Sequence, residues 1–293
     1  MKESLKNQKN KINLIYIGGC GHSGSTLLDL ILGSHSKIMS AGELNGFNHF
    51  KLRENPCSCG KIIINCNFWD SALSSFLGKI KSKNYVSTNI SYLSFRHLFK
   101  WSNVYYPHPK NKEKYLKYNK YLFQSILKAS NKSIVVDSSK IPTRALYLYK
   151  SGLFNMKLIY LVRNGKAFIH SFHKKGEPNY KAATYWTLRN YRMRKIIKEK
   201  MNPKDVLQVH YEHLASNPEK EIRRITKFIG IDFEKEMLNF REREHHIIGG
   251  NPMKNREDPE IKLDEKWKEK LSLVDKLVFK LIGGRMNKKL GYK

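Results

Sequence analysis

Acidic residues are scarce in this 293-residue chain: twenty-five Asp plus Glu stand against fifty-five Lys plus Arg, leaving a formal charge of +30. Such a balance favours anionic partners, whether a nucleotide, a nucleic acid, a sulfated or phosphorylated glycan, or a membrane surface. Charge alone does not choose among them, because many of the lysines are scattered among Asn and Ile as on a solvated surface. Long apolar runs are also missing. None approaches the roughly 18 residues that span a bilayer, and the N-terminal MKESLKNQKNK leads into a strand rather than a signal-peptide core. A cytoplasmic protein without a membrane span is therefore expected. Pro/Gly/Ser-rich linkers and internal repeats are lacking, so residues 1–293 read as one domain, and 40% hydrophobic content suffices for one sizeable core. Cysteine is sparse: Cys20 stands apart, while Cys57, Cys59 and Cys66 cluster in NPCSCGKIIINCNFWD. This C-x-C-x6-C triplet lacks the paired C-x2-C knuckles of a structural zinc site. Free thiols are the reading adopted, with a disulfide from Cys57 or Cys59 to Cys66 and metal binding as alternatives.

A Walker lysine is absent as well, and its absence matters because so much else of a phosphate loop is present. Residues 12–32, INLIYIGGCGHSGSTLLDLIL, run from a β-rich apolar stretch through glycines and hydroxyls into a leucine-rich helical pattern. Gly18, Gly19, Gly21 and Gly24 let the backbone approach an anion. Ser23, Ser25 and Thr26 add hydroxyl donors, and the helix beginning near Ser25 points its free N–H groups at the same place. Against G-x-x-x-x-G-K-[ST], Gly19, Gly24 and Thr26 fit, but Ser25 occupies the lysine position, which argues against an ordinary ATPase or GTPase.

Further on, short buried strands alternate with helices. Strands are expected at 37–41, 133–136, 157–162 and 205–210, an amphipathic helix at 218–229, and a last helix over about 264–282 that ends at Gly283-Gly284 with Trp267, Leu271, Val274, Val278 and Leu281 on one stripe. The pattern predicts an α/β three-layer sandwich around a doubly wound, mainly parallel sheet of about five strands with a P-loop-like nucleotide site. Residues 46–132 read as a helical, cysteine-containing insertion on the substrate side. Glu43 falls on the loop after the second strand, where α/β sheets place their chemistry. Arg163 and Ser171 lie eight residues apart across a strand-to-helix turn, so a guanidinium fork and a hydroxyl can reach one phosphate.

The run His22-Ser23-Gly24-Ser25-Thr26-Leu27-Leu28 resembles the 5′-phosphosulfate loop of the sulfotransferases that use 3′-phosphoadenylyl sulfate (PAPS), with His22 where that family usually carries Arg or Lys. LIYLVRNGKAFIHSF resembles the family's 3′-phosphate site, which assigns Arg163 and Ser171 to that phosphate and Lys175 to an often basic position. Tyr211 matches a tyrosine that contacts the nucleotide, and HHIIGGNPMKNR resembles the C-terminal loop that closes over it. The cysteine segment resembles a C-x-C-G…C-x-F-W stretch found in one branch of the superfamily.

This resemblance implies an enzyme that moves a sulfuryl group from PAPS to an acceptor hydroxyl and needs no metal. In it Glu43 matches the catalytic glutamate of tyrosylprotein-type sulfotransferases, and Lys140 the lysine that stabilises developing charge. Read from the residues alone, Glu43 could instead cap a helix or pair with a lysine, and Lys140 could be a surface residue. His97, His108, His245 and His246 are reserve bases. A small-molecule or glycan acceptor is expected rather than nucleic acid. The rivals are a P-loop-type kinase and a non-catalytic polyanion-binding protein.

Overall fold

The computed structural model describes residues 11–46, 55–80, 112–173, 178–255 and 261–292. Its sheet holds five parallel strands in the order β2-β3-β1-β4-β5: β1 Ile12–Gly19, β2 Ile38–Ser40, β3 Ile134–Lys140, β4 Phe154–Val162 and β5 Val206–His210. Side chains alternate faces along a strand, and here both faces are covered, so the inner strands are apolar throughout. On β1, Leu14 and Tyr16 join the core on one side, and Ile15 and Ile17 join the core on the other. β4 divides likewise, with Leu158 and Tyr160 on the first side and Ile159 and Leu161 on the second.

Ten helices cover these faces among the described residues: α1 Ser25–Gly33, α2 Asn67–Ile80, α3 Lys112–Ser130, α4 Pro142–Lys150, α5 Gly165–His173, α6 Asn179–Lys200, α7 Tyr211–Ser216, α8 Pro218–Ile229, α9 Trp267–Lys270 and α10 Leu273–Lys289. The chain leaves β1 for one edge of the sheet, then crosses from β3 to β4 and fills the other. The crevice at the carboxyl ends of β1, β3 and β4 therefore lies where the winding reverses, the usual place for a ligand in such sheets.

Of the 46–132 stretch, α2 and α3 pack on each other. Trp69, Phe76, Leu122 and Phe123 join the same core as β1 and β4. His97, His108 and Lys175 lie outside the described residues.

The expected single C-terminal helix is two. Ser272 caps a fresh start by accepting from the Asp275 N–H at 3.1 Å, and α10 then runs through both glycines to Lys289. Gly283 is not a stop because it is buried against Phe279, whose ring leaves no room there for a Cβ. The inward face is Phe279, Gly283, Met286 and Asn287, whereas Val274 and Leu281 of the expected stripe are exposed.

Candidate functional site

The loop after β1 holds its shape through two left-handed residues, His22 at φ 58° and Gly24 at φ 88°. A Cβ on Gly24 would fall 2.5 Å from the Tyr211 ring, so the position needs both the conformation and the missing side chain. Gly24 is the N-cap of α1, and no side chain caps that end. The first-turn N–H groups thus face the crevice with the positive end of the helix dipole. Ser23, Ser25 and Thr26 are buried around it. The Ser23 hydroxyl, 1% exposed, has no hydrogen-bond partner. A buried orphan hydroxyl is costly unless a ligand satisfies it.

The carboxyl end of β3 supplies the second part. Lys140 sits in the left-handed region at φ 63°, and its ammonium donates to Glu43 Oε1 at 2.7 Å and to the Ser138 carbonyl at 2.9 Å. The two residues singled out for chemistry, ninety-seven positions apart, are an ion pair. Glu43 is held from behind, since its N–H donates to the Ile248 carbonyl at 2.8 Å and Gly249 packs on its side chain. The same 245–255 segment reaches the start of α1, where the Asn251 N–H donates to Thr26 Oγ1 at 2.9 Å.

The end of β4 supplies the third. Arg163 is 6% exposed; its guanidinium stacks 4.5 Å from the Tyr211 ring centroid and donates to the His22 carbonyl at 2.9 Å and to Asp264 Oδ2 at 3.1 Å. Its Nε is buried without a partner. Ser171, on α5, lies 3.1 Å from His22 Nδ1, and the His22 ring meets Phe168 and Phe172 edge-on. His22, Ser171, Arg163 and Tyr211 therefore form one contiguous wall beside the loop.

Several contributors carry no sequence signal. Arg189, from α6, donates to the Lys140 carbonyl at 2.9 Å and the Gly19 carbonyl at 3.4 Å, tying two strand ends together. It is one basic residue among several on that helix, and only packing shows which of them turns inward. Asp264 on Arg163 is equally silent in the sequence. Asp29, three residues past Thr26, accepts from Ser40 Oγ at 2.6 Å, and burial pushes its carboxyl up to about 7. Beneath Lys140, Arg144 bonds Asp137 through Nε at 2.8 Å and reaches the Tyr115 hydroxyl through Nη1 at 2.7 Å, all fully enclosed. Of the reserve histidines, His245 Nε2 faces the Phe240 carbonyl at 2.7 Å, and His246 turns Nδ1 toward Cys57 and Cys66.

A parallel sheet with an uncapped, glycine-started helix at its switch point defines the class, an α/β protein whose crevice presents helix N–H groups. Comparison with known proteins narrows this. The model described as Sulfotransferase family matches residues 77–235, more than half of the chain, and the chain belongs to that family. A "Putative protein-tyrosine sulfotransferase" of Caenorhabditis briggsae is 25% identical over 246 residues, covering 80% of this chain and 70% of that one. The sulfotransferase domain from the Synechococcus PCC 7002 olefin synthase shares the fold with a TM-score of 0.58 at 19% identity, covering 97% of this chain and 96% of that one. Mouse sulfotransferase SULT7A1, solved in complex with PAP, aligns with a TM-score of 0.50 at 14% identity over 96% and 87% of the two chains.

Proposed function

We propose that this sulfotransferase takes the sulfuryl group from PAPS, passes it to an acceptor hydroxyl on a small molecule, glycan, lipid or tyrosine, and releases adenosine 3′,5′-bisphosphate. The observation that carries this is the meeting of Glu43 and Lys140 beside the uncapped start of α1, where the buried Ser23 hydroxyl waits for an acceptor atom. The residues fit the donor: α1 N–H groups with Ser23, Ser25 and Thr26 suit its phosphosulfate end. Arg163, Ser171 and the Tyr211 face suit the 3′-phosphate and base, with Lys175 beyond the described residues as a further cation. Asp264 stands where such a phosphate would compete for the guanidinium.

In the proposed reaction the acceptor oxygen attacks sulfur. Its S–O bond forms as the bond from sulfur to the bridging phosphate oxygen breaks, and the electron pair stays on that phosphate. Glu43 takes the hydroxyl proton, and Lys140 stabilises the charge gathering on the bridging oxygen, so the two leave their mutual pair to act on opposite sides of the sulfuryl group. The tyrosine hydroxyl belongs in the acceptor set because the nematode relative bears that description.

The test is to supply PAPS without added magnesium to a panel of phenols, a tyrosine peptide, alcohols and sugars, and to measure adenosine 3′,5′-bisphosphate release. Turnover with at least one hydroxyl acceptor and tighter binding of the bisphosphate than of ATP–Mg²⁺ are expected. Tight ATP–Mg²⁺ binding indifferent to the 3′-phosphate would favour the kinase reading. Steeply salt-dependent binding to DNA or RNA without nucleotide preference would favour the polyanion binder.

A further inference from the structure

Away from the crevice, the cysteine segment and the extended 245–248 segment converge on one point. The ligand atoms of Cys57, Cys59, Cys66 and His246 all lie within 4.8 Å of one another. Cys59 Sγ and Cys66 Sγ are 3.6 Å apart, and His246 Nδ1 is 3.3 Å from Cys66 Sγ and 3.8 Å from Cys57 Sγ. All three thiols are free, and 3.6 Å is far beyond the roughly 2.05 Å of a disulfide. A tetrahedron with Zn–S of about 2.3 Å and Zn–N of about 2.0–2.1 Å has S···S edges of about 3.8 Å and S···N edges of about 3.6 Å. Three of the spacings lie near such edges, and the four ligand atoms, none more than 4.8 Å from another, can surround one ion.

We propose that Cys57, Cys59, Cys66 and His246 bind a structural zinc ion that pins the 245–251 segment behind Glu43, independently of which donor or acceptor the enzyme uses. Three sulfurs and an imidazole are the ligands zinc prefers, and four protein ligands leave no open position for chemistry. Burial raises the Cys57 and Cys66 thiols, so drawing off their protons falls to the bound ion, helped by two backbone N–H groups. The Cys59 N–H is directed at the Cys57 sulfur and the Trp69 N–H at that of Cys66. Lys254 bonds the Pro56 carbonyl at 3.0 Å and acts electrostatically on Cys57 and Cys59, opposing the net negative charge of a Cys₃His zinc centre. The His246 ring stacks on Phe68 with centroids 4.9 Å apart, its carbonyl accepts from Trp69 Nε1, and Nε2 lies 4.0 Å from Glu244. A carboxylate behind the metal-bound imidazole is a common orienting partner.

The sequence disguises this site because its fourth ligand lies 180 residues beyond Cys66. Its consequence is local order where the chemistry needs it. His246 is two residues from Ile248, which accepts from the Glu43 N–H, and five from Asn251, which donates to Thr26. The Ile247 N–H also donates to Ser58 Oγ at 2.8 Å, so the metal would close a seam already started by hydrogen bonds.

Elemental analysis of protein purified without a metal-affinity step should find one zinc per chain. Cobalt(II) exchanged into the wild-type protein should give the intense visible absorption and sulfur-to-metal charge-transfer band of a tetrahedral thiolate site. Cys59→Ser, at the half-buried ligand, should weaken zinc binding by more than about 100-fold. Removing the ion should raise exchange of the 245–251 amides. Substoichiometric zinc after supplementation, a weak octahedral cobalt spectrum, or a Cys59–Cys66 disulfide in the native protein would each overturn the proposal. The cobalt spectrum of the unmutated chain decides the matter even where Cys59→Ser does not fold.

Discussion

At the scale of single residues, the candidate site is a set of charges held short of neutrality by one another. Glu43 and Lys140 satisfy each other in the free protein, which keeps both oriented and leaves an acceptor hydroxyl to displace one contact. Glu43→Gln keeps the size and most hydrogen bonding but removes the proton acceptor. Turnover should fall about 10²- to 10⁴-fold where chemistry limits the rate, with bisphosphate affinity nearly constant. Retention of more than about half the turnover would move the base elsewhere. Arg163 presents the complementary case, because its fork is shared between the His22 carbonyl and Asp264. Arg163→Ala should weaken adenosine 3′,5′-bisphosphate by about 2–3 kcal/mol, read by calorimetry, and an analogue lacking the 3′-phosphate much less. Equal losses for both ligands would take Arg163 out of the phosphate site.

At the scale of elements, the end of β3 shows how a strand aims a catalytic candidate. Its last four residues, Asp137 to Lys140, are buried. Asp137 accepts from the Ser139 N–H at 2.9 Å and pairs with Arg144 at the start of α4. Tyr115 of α3 and Arg189 of α6 complete the clamp. Removing one partner of a buried pair leaves the other charge uncompensated, so Asp137→Asn should cost about 3–5 kcal/mol in urea unfolding. A loss under about 1 kcal/mol would mean that water or another carboxylate reaches Arg144. The β4–α5 turn is fixed in the same manner from the C-terminal end: Asn287 accepts from the Gly165 N–H, and Glu212 accepts from both the Asn164 N–H and the Tyr292 hydroxyl. That packing is why α10 runs past its two glycines.

At the scale of the molecule, one buried acid gives stability a defined pH dependence. Burial raises the Asp29 carboxyl to about 7, above the roughly 3.9 of an unfolded Asp, so between these values the folded state holds the proton more tightly. Its contribution is complete below about pH 4 and is lost as pH rises through about 7, a change on the order of 4 kcal/mol. Urea unfolding of the wild type from pH 5 to pH 8 should show that decline, and Asp29→Asn should flatten it. An unchanged slope in the variant would assign the titration to another group. Among the described residues no helix is long and apolar enough to cross a membrane. The excess of positive charge should attract anionic partners with a strength that falls as ionic strength rises.

Local signals were enough for the frame and for naming candidate residues around the crevice. The glycine and hydroxyl run of 18–26 between two apolar stretches reads as strand, loop and helix, and β1 and α1 flank that loop. Alternating strands and helices then leave few choices besides a parallel sheet, and the described residues hold five strands. Gly283 reads as a helix stop in the sequence, yet Phe279 packs over it and α10 continues. Whatever joins distant positions had no local pattern to betray it. The order β2-β3-β1-β4-β5 brings Glu43 to Lys140, α6 packing chooses Arg189 from its basic neighbours, and Asp264 meets Arg163 only through the loop before α9. His246 meets the three cysteines in the same way. Residue types and short spacings determine which groups can do chemistry, because they act within a turn or a strand. Which groups meet is settled by burial of the two sheet faces, a cooperative packing outcome to which the whole chain contributes.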